Sequence, residues 1–369
     1  MSPKVLLLSD INSTHTQKWA LSLASKGFEI GIFSLHKLKL DWIRGNNNIE
    51  VLYTPPDEGG PKLFSKTLFP LALPDLKSAI KEFKPDILHA HYASSYGFLG
   101  ALSGFHPFIL SVWGSDVYDF PKKSFFHKLL FKFNLGKADR ICSTSETMKK
   151  EVMKYTSKDI AVTPFGIDLK IFKPFYAHHV FKQDAIVIGT IKQLEKKYGA
   201  EYLIEAFALL RKRLKGYSLK LLIVGSGSLD PRLRLKVKDL GVEGDTVFTG
   251  YIPPVEIPFY QNMMTISAFP SLNDSFGVSV VEAMACEKPV VVTNVGGLPE
   301  VAGDGEAGII IPPANTERLA DAIEILIKNV DLRIKYGKQG RQRVERLYNW
   351  DNNLATMIGI YEELLGKKA

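Results

Sequence analysis

The chain has 369 residues, of which 46% are apolar, 23% charged and 11% aromatic. This composition is typical of a globular protein of about two domains, and it excludes a disordered chain and a collagen-like repeat. Two cysteines are too few for a disulfide scaffold, so we expect reduced thiols and a cytoplasmic protein. The net charge of +8 is concentrated in residues 1–180, which carry +7. Such a basic half indicates an anionic partner or a solvated lysine-rich face.

Short apolar runs alternate with amphipathic stretches along the whole chain, and this alternation predicts parallel sheets covered by helices. No apolar run approaches the ~18 residues that a membrane-spanning helix needs, and the first run is predicted to be a strand rather than a signal peptide. The predicted strands are 5–8, 30–33, 87–89, 108–112, 140–143, 186–191, 219–224, 246–248, 266–269, 290–293 and 308–311. Predicted helices include 18–26, 202–214, 278–285 and 352–365.

The stretch 173–184 has no period and directly precedes the second series of strands. It predicts an N-terminal Rossmann-like domain over 1–175 on the acceptor side and a C-terminal Rossmann-like domain over 185–350. Residues 351–369 are then a terminal helix able to cross back to the first domain. Because ligands of doubly wound sheets bind beyond the carboxyl ends of the strands, we expect a deep cleft between the domains, with functional residues in loops after strands.

Segment 270–285 reads as a strand end, a polar loop and a helix. The amides of Gly277 and Val278 are predicted to be free donors at the positive end of the helix dipole, which suits a phosphate. Glu282, one turn later, and Asp274, in the loop, could accept hydrogen bonds from sugar hydroxyls. The alternative is an ordinary strand–loop–helix unit with Asp274 or Ser275 as the N-cap and a solvated Glu282.

A second cluster, 189–199, follows the first strand of the second domain. Lys192 and Lys197 could neutralise a diphosphate, since ammonium groups bind phosphate as point charges. The alternative is a solvated run of surface charges.

The segment from Asp274 to Glu282 resembles the E-x7-E signature of retaining GT-B glycosyltransferases of family 4. The signature is followed here by the motifs Glu-Ala-Met-Ala at 282–285, Pro-Val-Val at 289–291 and Gly-Gly-Leu-Pro-Glu at 296–300. Further matches occur at 163–174, 222–227, 248–250 and in the helix that carries Trp350. The resemblance therefore implies an α/β GT-B fold of two Rossmann-like domains.

The resemblance also implies roles for particular residues. Glu282 would hold the ribose, Asp274 the transferred sugar, and Lys192 and Lys197 the diphosphate. Backbone groups of Phe276, Gly277 and Val278 would line the sugar diphosphate, and neither a metal nor a cofactor is expected. Two departures from the pattern are an aspartate at 274 in place of glutamate and a lysine at 192 in place of arginine.

In the first half, the segment 112–117 resembles the family's His-Gly-Ser-Asp motif, with Trp113 in place of the histidine. In the family this motif faces the donor sugar, so Asp116 and the backbone of Gly114 and Ser115 would remain available there, with Gly114 a possible contact for a phosphate or the acceptor. Asp116, Asp274 and Lys197 are the predicted catalytic residues. The alternative for Asp116 is a helix N-cap or turn former.

The loop after the first strand offers Ser13, Thr14 and His15 to a phosphate or an acceptor hydroxyl, although a lone histidine is also commonly structural. The pair His89 and His91 offers too few ligands for a metal.

The segment 120–133 places Phe125, Phe126, Leu129, Leu130 and Phe133 on one helical face. Lysines 122, 123, 128 and 132 flank that face, which is typical of a cationic interfacial helix. The alternative is an apolar face that packs on the N-terminal sheet. Segment 61–69 has a similar character. Because no nucleic-acid recognition motif is present, the pattern favours an anionic membrane surface over nucleic acid.

These patterns together predict transfer of a sugar from a nucleoside diphosphate sugar, UDP more than GDP, to a lipid-linked or cell-surface glycan. The enzyme would be cytoplasmic, peripheral at the inner membrane face. The alternatives are a phosphorylase or nucleotide-sugar epimerase of the same fold, and a non-catalytic nucleotide-sugar-binding protein. A nicotinamide oxidoreductase is disfavoured because Asp230 stands where the third glycine of the dinucleotide fingerprint belongs.

Overall fold

The computed structural model describes residues 2–55, 69–177, 181 and 184–366. These residues form two compact units. The first unit runs to Phe165 and includes the segment that begins at Asn352, whereas the second unit comprises the chain from Gly166 to Asp351. The boundary thus lies before the predicted end of the first domain at residue 175.

The first unit is built on a parallel sheet of seven strands in the order β3-β2-β1-β4-β5-β6-β7. Its strands are β1 Lys4–Leu8, β2 Glu29–Phe33, β3 Ile49–Tyr53, β4 Ile87–His91, β5 Phe108–Val112, β6 Arg140–Ser143 and β7 Ile160–Val162. Its first six helices are α1 Thr14–Ser25, α2 Leu73–Phe83, α3 Ser95–Ser103, α4 Ser115–Tyr118, α5 Phe125–Lys137 and α6 Glu146–Val152, with 3₁₀ turns at Phe69–Ala72 and Phe120–Lys122.

The second unit is built on a parallel sheet of six strands in the order β10-β9-β8-β11-β12-β13. Its strands are β8 Ile186–Ile191, β9 Leu219–Val224, β10 Thr246–Gly250, β11 Ile266–Phe269, β12 Val290–Thr293 and β13 Gly308–Ile311. The helices are α7 Ala200–Arg213, α8 Asp230–Asp239, α9 Ile257–Met263, α10 Val278–Ala285, α11 Leu298–Val301, α12 Thr316–Lys328 and α13 Val330–Leu347. Short 3₁₀ turns lie at Lys196–Tyr198, Glu243–Asp245 and Pro254–Glu256, and the last helix, α14, spans Trp350–Leu364.

The eleven predicted strands are all present, and the apolar residues that predicted them form the two cores. Strand β1 is buried from Val5 to Leu8, and β12 is buried throughout. Two strands, β3 and β7, lie at the sheet edges and were not predicted. Edge strands bury less of their side chains, so a strand such as β3, with Glu50 and Val51 exposed, lacks a continuous apolar run.

The terminal helix α14 belongs largely to the first unit. Its residue Tyr361 is fully buried, and the Tyr361 hydroxyl lies 2.7 Å from Nδ1 of His89 in β4. This contact shows how a segment at the end of the chain completes the core of the N-terminal unit.

Helix α5 leaves four of the five residues of the predicted apolar face exposed, and the fifth, Leu130, is half-buried. The exposed fractions of Phe125 and Phe126 are 69% and 78%, and Leu129 and Phe133 are also exposed. The helix instead packs through Phe131 and Leu135, which are fully buried. The alternative in which the phenylalanine stripe packs on the sheet is therefore wrong.

Most of segment 61–69, the second stretch of this character, lies outside the described residues. Among the helices that the structure describes, none is both long and apolar enough to cross a bilayer.

Candidate donor and acceptor sites

The loop between β11 and α10 is the first candidate site, and its path is fixed by close backbone contacts. Gly296 has φ +51°, and a Cβ there would lie 1.9 Å from the carbonyl oxygen of Asp274. Thr293 Oγ1 donates a 2.6 Å hydrogen bond to the carbonyl of Ser271. The motif Gly-Gly at 296–297 therefore serves to let this loop pass closely over the segment after β12.

Gly277 is the N-cap of helix α10 and is in the left-handed region with φ +95°. A Cβ at Gly277 would lie 2.5 Å from Leu298 Cδ2, so a larger residue would strain both backbone and packing. Five of the eight helix residues are buried, and the half-buried ones are Val278, Ser279 and Glu282. These three share one face because residues one turn apart in a helix are neighbours. Glu282 thus lies on the face that begins at the helix N-terminus.

Phe276 has a structural side chain. It is 3% exposed, and its ring meets Tyr348 edge-on with 5.6 Å between ring centroids. Any contact of Phe276 with a ligand would therefore be made by its backbone.

Lys192 and Asp274 form an ion pair that the sequence does not reveal. Lys192 Nζ lies 2.6 Å from Asp274 Oδ2, and each side chain is only about a tenth exposed, at 11% and 10%. The residue predicted to bind phosphate and the residue predicted to bind sugar are thus in direct contact. The two departures from the family pattern, a shorter acid and a lysine, occur in one pair.

Lys197 is joined to the same loop through its backbone. Its carbonyl accepts hydrogen bonds from the amides of Leu272 and Asn273, at 2.8 and 3.1 Å. The Lys197 side chain is exposed. The predicted donor residues of the second half therefore lie on two segments, one after β8 and one after β11, that backbone hydrogen bonds join.

The second candidate site is a pocket of about 730 Å³ within the first unit. It opens at the carboxyl ends of the strands, where a doubly wound sheet binds its ligands. It is lined by Ser9, Asp10, Ser13, Leu35, His36, Phe69, His91, Tyr92, Ser94, Ser95, Tyr96, Trp113, Ser115, Asp116, Asp119, Phe120, Lys123 and His127. Of the predicted residues, Ser13 and Asp116 line the pocket, whereas Thr14, His15 and Gly114 are not among its lining residues.

Asp116 is 1% exposed, and its carboxylate is occupied by the backbone. It accepts hydrogen bonds from the amides of Ala93 at 2.8 Å, Gly114 at 2.7 Å and Trp113 at 3.2 Å. Burial nevertheless raises the pKa of this carboxyl above its ordinary value. These contacts are those of the turn-forming alternative: Asp116 holds the turn that carries Trp113.

His15 packs in an aromatic cluster. Its ring stacks on Phe165 at 3.9 Å and meets Trp113 edge-on at 5.7 Å. Burial, with a smaller contribution from Lys18, lowers the pKa of His15 to about 4. The imidazole is therefore neutral at pH 7.

His89 and His91 are also neutral and buried. His89 bonds to Tyr361 and, at 2.8 Å, to Ser111 Oγ, and burial lowers its pKa to about 3. His91 stacks on Trp113 at 4.3 Å and bonds to Ser9 Oγ at 3.0 Å; burial holds its pKa well below the usual value. Within the described part of the chain, no group of three or more His, Cys, Asp or Glu side chains could hold a metal ion.

Sequence reasoning missed several lining residues, among them Tyr92, Tyr96, Lys123 and His127. Tyr92 directly follows β4 with φ +81° and bonds through its hydroxyl to Ser115 Oγ at 2.9 Å. Its place at a strand end was a usable signal, because loops after strands form the ligand edge of the sheet. Lys123 and His127 carried no such signal, since they flank the start of a helix.

Two family models match the chain. Residues 174–343 match the model described as glycosyl transferases group 1, and residues 4–145 match the glycosyl transferase 4-like model. The chain belongs to the group 1 glycosyltransferase family. The two matches leave little of the chain uncovered, and each falls largely within one structural unit.

Two curated members of this family illustrate the similarity. The D-inositol 3-phosphate glycosyltransferase of Paenarthrobacter aurescens is 30% identical over 239 residues, which is 61% of this chain and 58% of that protein. The capsular polysaccharide biosynthesis glycosyltransferase CapM of Staphylococcus aureus is 31% identical over 262 residues, 66% of this chain and 64% of that protein. The match thus spans less than two thirds of the length of either relative.

Solved structures share the fold of this group 1 glycosyltransferase. Sucrose-phosphate synthase from Thermosynechococcus elongatus has a TM-score of 0.84 at 21% identity, over 99% of this chain and all of that one. HepE of Anabaena, solved with UDP, has a TM-score of 0.80 at 16% identity, over 98% of this chain and all of that one. The predicted α/β GT-B fold with two domains is therefore confirmed.

Proposed function

We propose that this group 1 glycosyltransferase moves a sugar from a UDP-sugar, rather than a GDP-sugar, to an acceptor hydroxyl with retention of anomeric configuration. The observation that carries the proposal is the connected loop of the second unit. It joins the segments of Lys192 and Lys197 to Asp274 and leads into the half-buried face of α10 that bears Glu282. Cations and a helix N-terminus suit the diphosphate of a sugar nucleotide, and two acids suit the hydroxyls of its ribose and sugar.

In this proposal each group of the loop meets a different part of the donor. The amides at the start of α10 and the two ammonium groups oppose the negative charge of the diphosphate. Glu282 accepts hydrogen bonds from the ribose hydroxyls, and Asp274 accepts them from the transferred sugar. The UDP complex of the Anabaena protein supports the choice of nucleotide.

The reaction breaks the bond between the anomeric carbon and the diphosphate oxygen and forms a bond from that carbon to the acceptor oxygen on the same face. The acceptor proton passes to the departing phosphate oxygen. Negative charge grows on the diphosphate as the bond breaks, so Lys192, Lys197 and the α10 N-terminus stabilise the transition state more than the ground state.

The pocket of the first unit is assigned to the acceptor. Its lining is rich in hydroxyl groups and aromatic rings, including Ser13, Tyr92 and Trp113, and its buried histidine is neutral. Neutral hydroxyls and aromatic rings bind sugars through hydrogen bonds and apolar contact. We therefore infer a glycan acceptor. Helix α5, whose start lies beside the pocket, suggests that this acceptor is attached to a lipid.

Lys123 and His127 line this pocket, and between them stand the exposed Phe125 and Phe126. Exposed phenylalanines among Lys122, Lys123, Lys128 and Lys132 form a surface that is apolar and cationic together, which suits an anionic bilayer. We propose that α5 places the enzyme on the inner membrane face, where a lipid-linked or cell-surface glycan precursor serves as acceptor.

The donor is tested by calorimetric titration of UDP, GDP and a panel of their hexose conjugates, followed by transfer to lipid-linked sugar phosphates. Proton NMR of fresh product reads the anomeric configuration. We expect a UDP-sugar to bind and the product to retain configuration. Inversion would contradict the mechanism. Release of a sugar phosphate or epimerised donor without acceptor would indicate a phosphorylase or epimerase, and binding without turnover a non-catalytic protein.

The membrane is tested by co-sedimentation with anionic and neutral vesicles. Each lysine near an anionic leaflet contributes about 1 kcal/mol, so changing Lys122, Lys123, Lys128 and Lys132 to Glu should abolish binding to anionic vesicles. The matched control changes four exposed lysines of the same unit, Lys26, Lys77, Lys81 and Lys84, to Glu. Equal loss in both variants, or equal binding to both vesicle types, would contradict a membrane role for α5.

A further inference from the structure

Tyr198 lies against both lysines of the candidate donor site. The Nζ atoms of Lys192 and Lys197 are each 4.8 Å from the centroid of its ring. An ammonium within about 6 Å of an aromatic face is attracted by the ring quadrupole. One aromatic ring therefore contacts two cations that approach it from different points of the loop.

The backbone around the ring is anchored on both sides. Tyr198 ends the 3₁₀ turn Lys196–Tyr198, and its amide donates to the carbonyl of Glu195 at 2.9 Å. The amide of Lys192 donates to the carbonyl of Val224, the last residue of β9, at 3.0 Å. With the Lys197 carbonyl held by the loop after β11, the backbone that carries the ring is fixed relative to the backbone that carries each lysine.

The charges at the ring are unequally balanced. Asp274 neutralises Lys192, but no acidic oxygen of the described residues lies within 4.0 Å of the Lys197 ammonium. Two like charges on one ring repel each other, and a long lysine side chain loses conformational freedom when it is held in place. Contact with the ring offsets part of both costs before an anion arrives.

We propose that Tyr198 is a positioning residue that holds the ammonium groups of Lys192 and Lys197 side by side for the diphosphate of the donor. The inference rests on the proposed function, because it takes the two lysines as the phosphate-binding groups. Tyr198 acts through the lysines and does so with its ring, so its hydroxyl is dispensable.

The test compares Tyr198→Leu with Tyr198→Phe in the full-length protein. UDP binding is measured by calorimetry at fixed salt, and transfer is resolved into kcat and KM. We expect Tyr198→Leu to weaken UDP binding and to lower kcat/KM by about tenfold, which is the scale of losing two exposed cation–π contacts. Tyr198→Phe should restore both. Tyr217→Leu, at a partly exposed tyrosine that precedes β9, is the matched control and should change neither.

A second measurement keeps an aromatic ring at position 198, so its outcome does not depend on how well Tyr198→Leu folds. Phenylalanine analogues with increasing numbers of ring fluorines at position 198 weaken the quadrupole and keep the shape of the ring. UDP affinity should fall steadily along this series. A flat series, a Tyr198→Leu variant equal to wild type, or a Tyr198→Phe variant as impaired as Tyr198→Leu would overturn the proposal.

These outcomes are separate from failure of the proposed function. If the wild-type protein binds neither UDP nor GDP, the donor assignment itself is wrong. If the wild-type protein binds UDP but the Tyr198 variants do not differ from it, only the positioning role is wrong.

Discussion

The two candidate sites differ in the charged side chains that they present to a ligand. In the second unit, two lysines, a buried acid and a helix N-terminus surround one loop, and their charges are partly matched by the pair of Lys192 and Asp274. In the first unit, burial keeps His91 neutral, and the backbone occupies the Asp116 carboxylate. Under the proposed function, this difference matches a polyanionic donor in the second unit and a hydroxyl-bearing acceptor in the first.

The two sites are also held in place by different contacts. The donor loop is held by backbone contacts, such as those of Gly296 and of the Lys197 carbonyl. The pocket is held by side chains, with Trp113 stacked on His91 and the turn before α4 fixed by Asp116. Substitutions in the two units should therefore have different effects. Those at the exposed or half-buried loop side chains Lys197 and Glu282 should impair the proposed donor chemistry, whereas those around the pocket, like those at the nearly buried pair of Lys192 and Asp274, should impair stability.

The largest effect is expected at the ribose end of the donor site. In the proposed donor site, Glu282→Ala removes two hydrogen bonds from the ribose hydroxyls to a charged carboxylate, worth about 3–6 kcal/mol together, so kcat/KM should fall at least a hundredfold. Steady-state kinetics with varied donor measures the loss, and unchanged thermal unfolding would show that the fold is intact. Glu243→Ala, at an exposed glutamate of the same unit, should have wild-type kinetics. Equal kinetics for both variants would exclude Glu282 from the donor site.

Lys197→Ala tests the phosphate end of the same site. Loss of one charge-stabilising group is expected to cost about 2–4 kcal/mol of transition-state stabilisation, seen mainly in kcat. Single-turnover kinetics measures the chemical step. Lys196→Ala is the control, because Lys196 is an exposed lysine one position earlier. If the two variants behave alike, the cluster is a solvated charge run.

The pair of Lys192 and Asp274 predicts an effect on stability. Removing either partner leaves the other as an uncompensated charge in a nearly buried site, which should cost about 3 kcal/mol of unfolding free energy. The double variant Lys192→Ala with Asp274→Ala should lose less than the sum of the single variants. Urea denaturation of the four proteins measures this coupling, and additive losses would mean that the pair contributes nothing.

The same pair predicts a tolerated substitution. Lys192→Arg keeps the positive charge and restores the residue usual in the family, so its transfer activity should stay well above that of Lys192→Ala. If the two variants are equally inactive, the alignment of this loop with the family pattern is wrong.

An effect seen only as the pH falls concerns the neutral histidines of the first unit. The pKa of His89 is lowered to about 3. Between about pH 6.5 and pH 3, this histidine is therefore protonated in the unfolded chain and neutral in the folded chain. Stability from this group is therefore complete above pH 6.5 and is lost as pH falls towards 3, by about 2 kcal/mol at pH 5. His89→Gln, whose amide can still bond to Ser111, should show a shallower loss between pH 7 and 5. A pH profile of unfolding identical to wild type would contradict a neutral, buried His89.

Much of the architecture followed from the sequence because burial is encoded locally. Short, mostly apolar runs predicted every interior strand, since a strand covered on both faces buries most of its side chains. The face of α10 was also predictable, because Val278 and Glu282 are one helical turn apart whatever surrounds them. The edge strands β3 and β7 were not, since the exposed Glu50 interrupts the apolar run of β3 and β7 is only three residues long.

What the sequence could not determine were contacts between residues far apart in the chain. Lys192 and Asp274 are 82 positions apart, and His89 and Tyr361 are 272 apart. Whether such residues meet depends on the order of strands in the sheet, so only the tertiary structure decided that the lysine pairs with the acid. It also decided that Asp116 holds a turn and that the phenylalanines of α5 face solvent. A local pattern specifies which side chains share a face, but the partner of that face is set by packing across the whole unit.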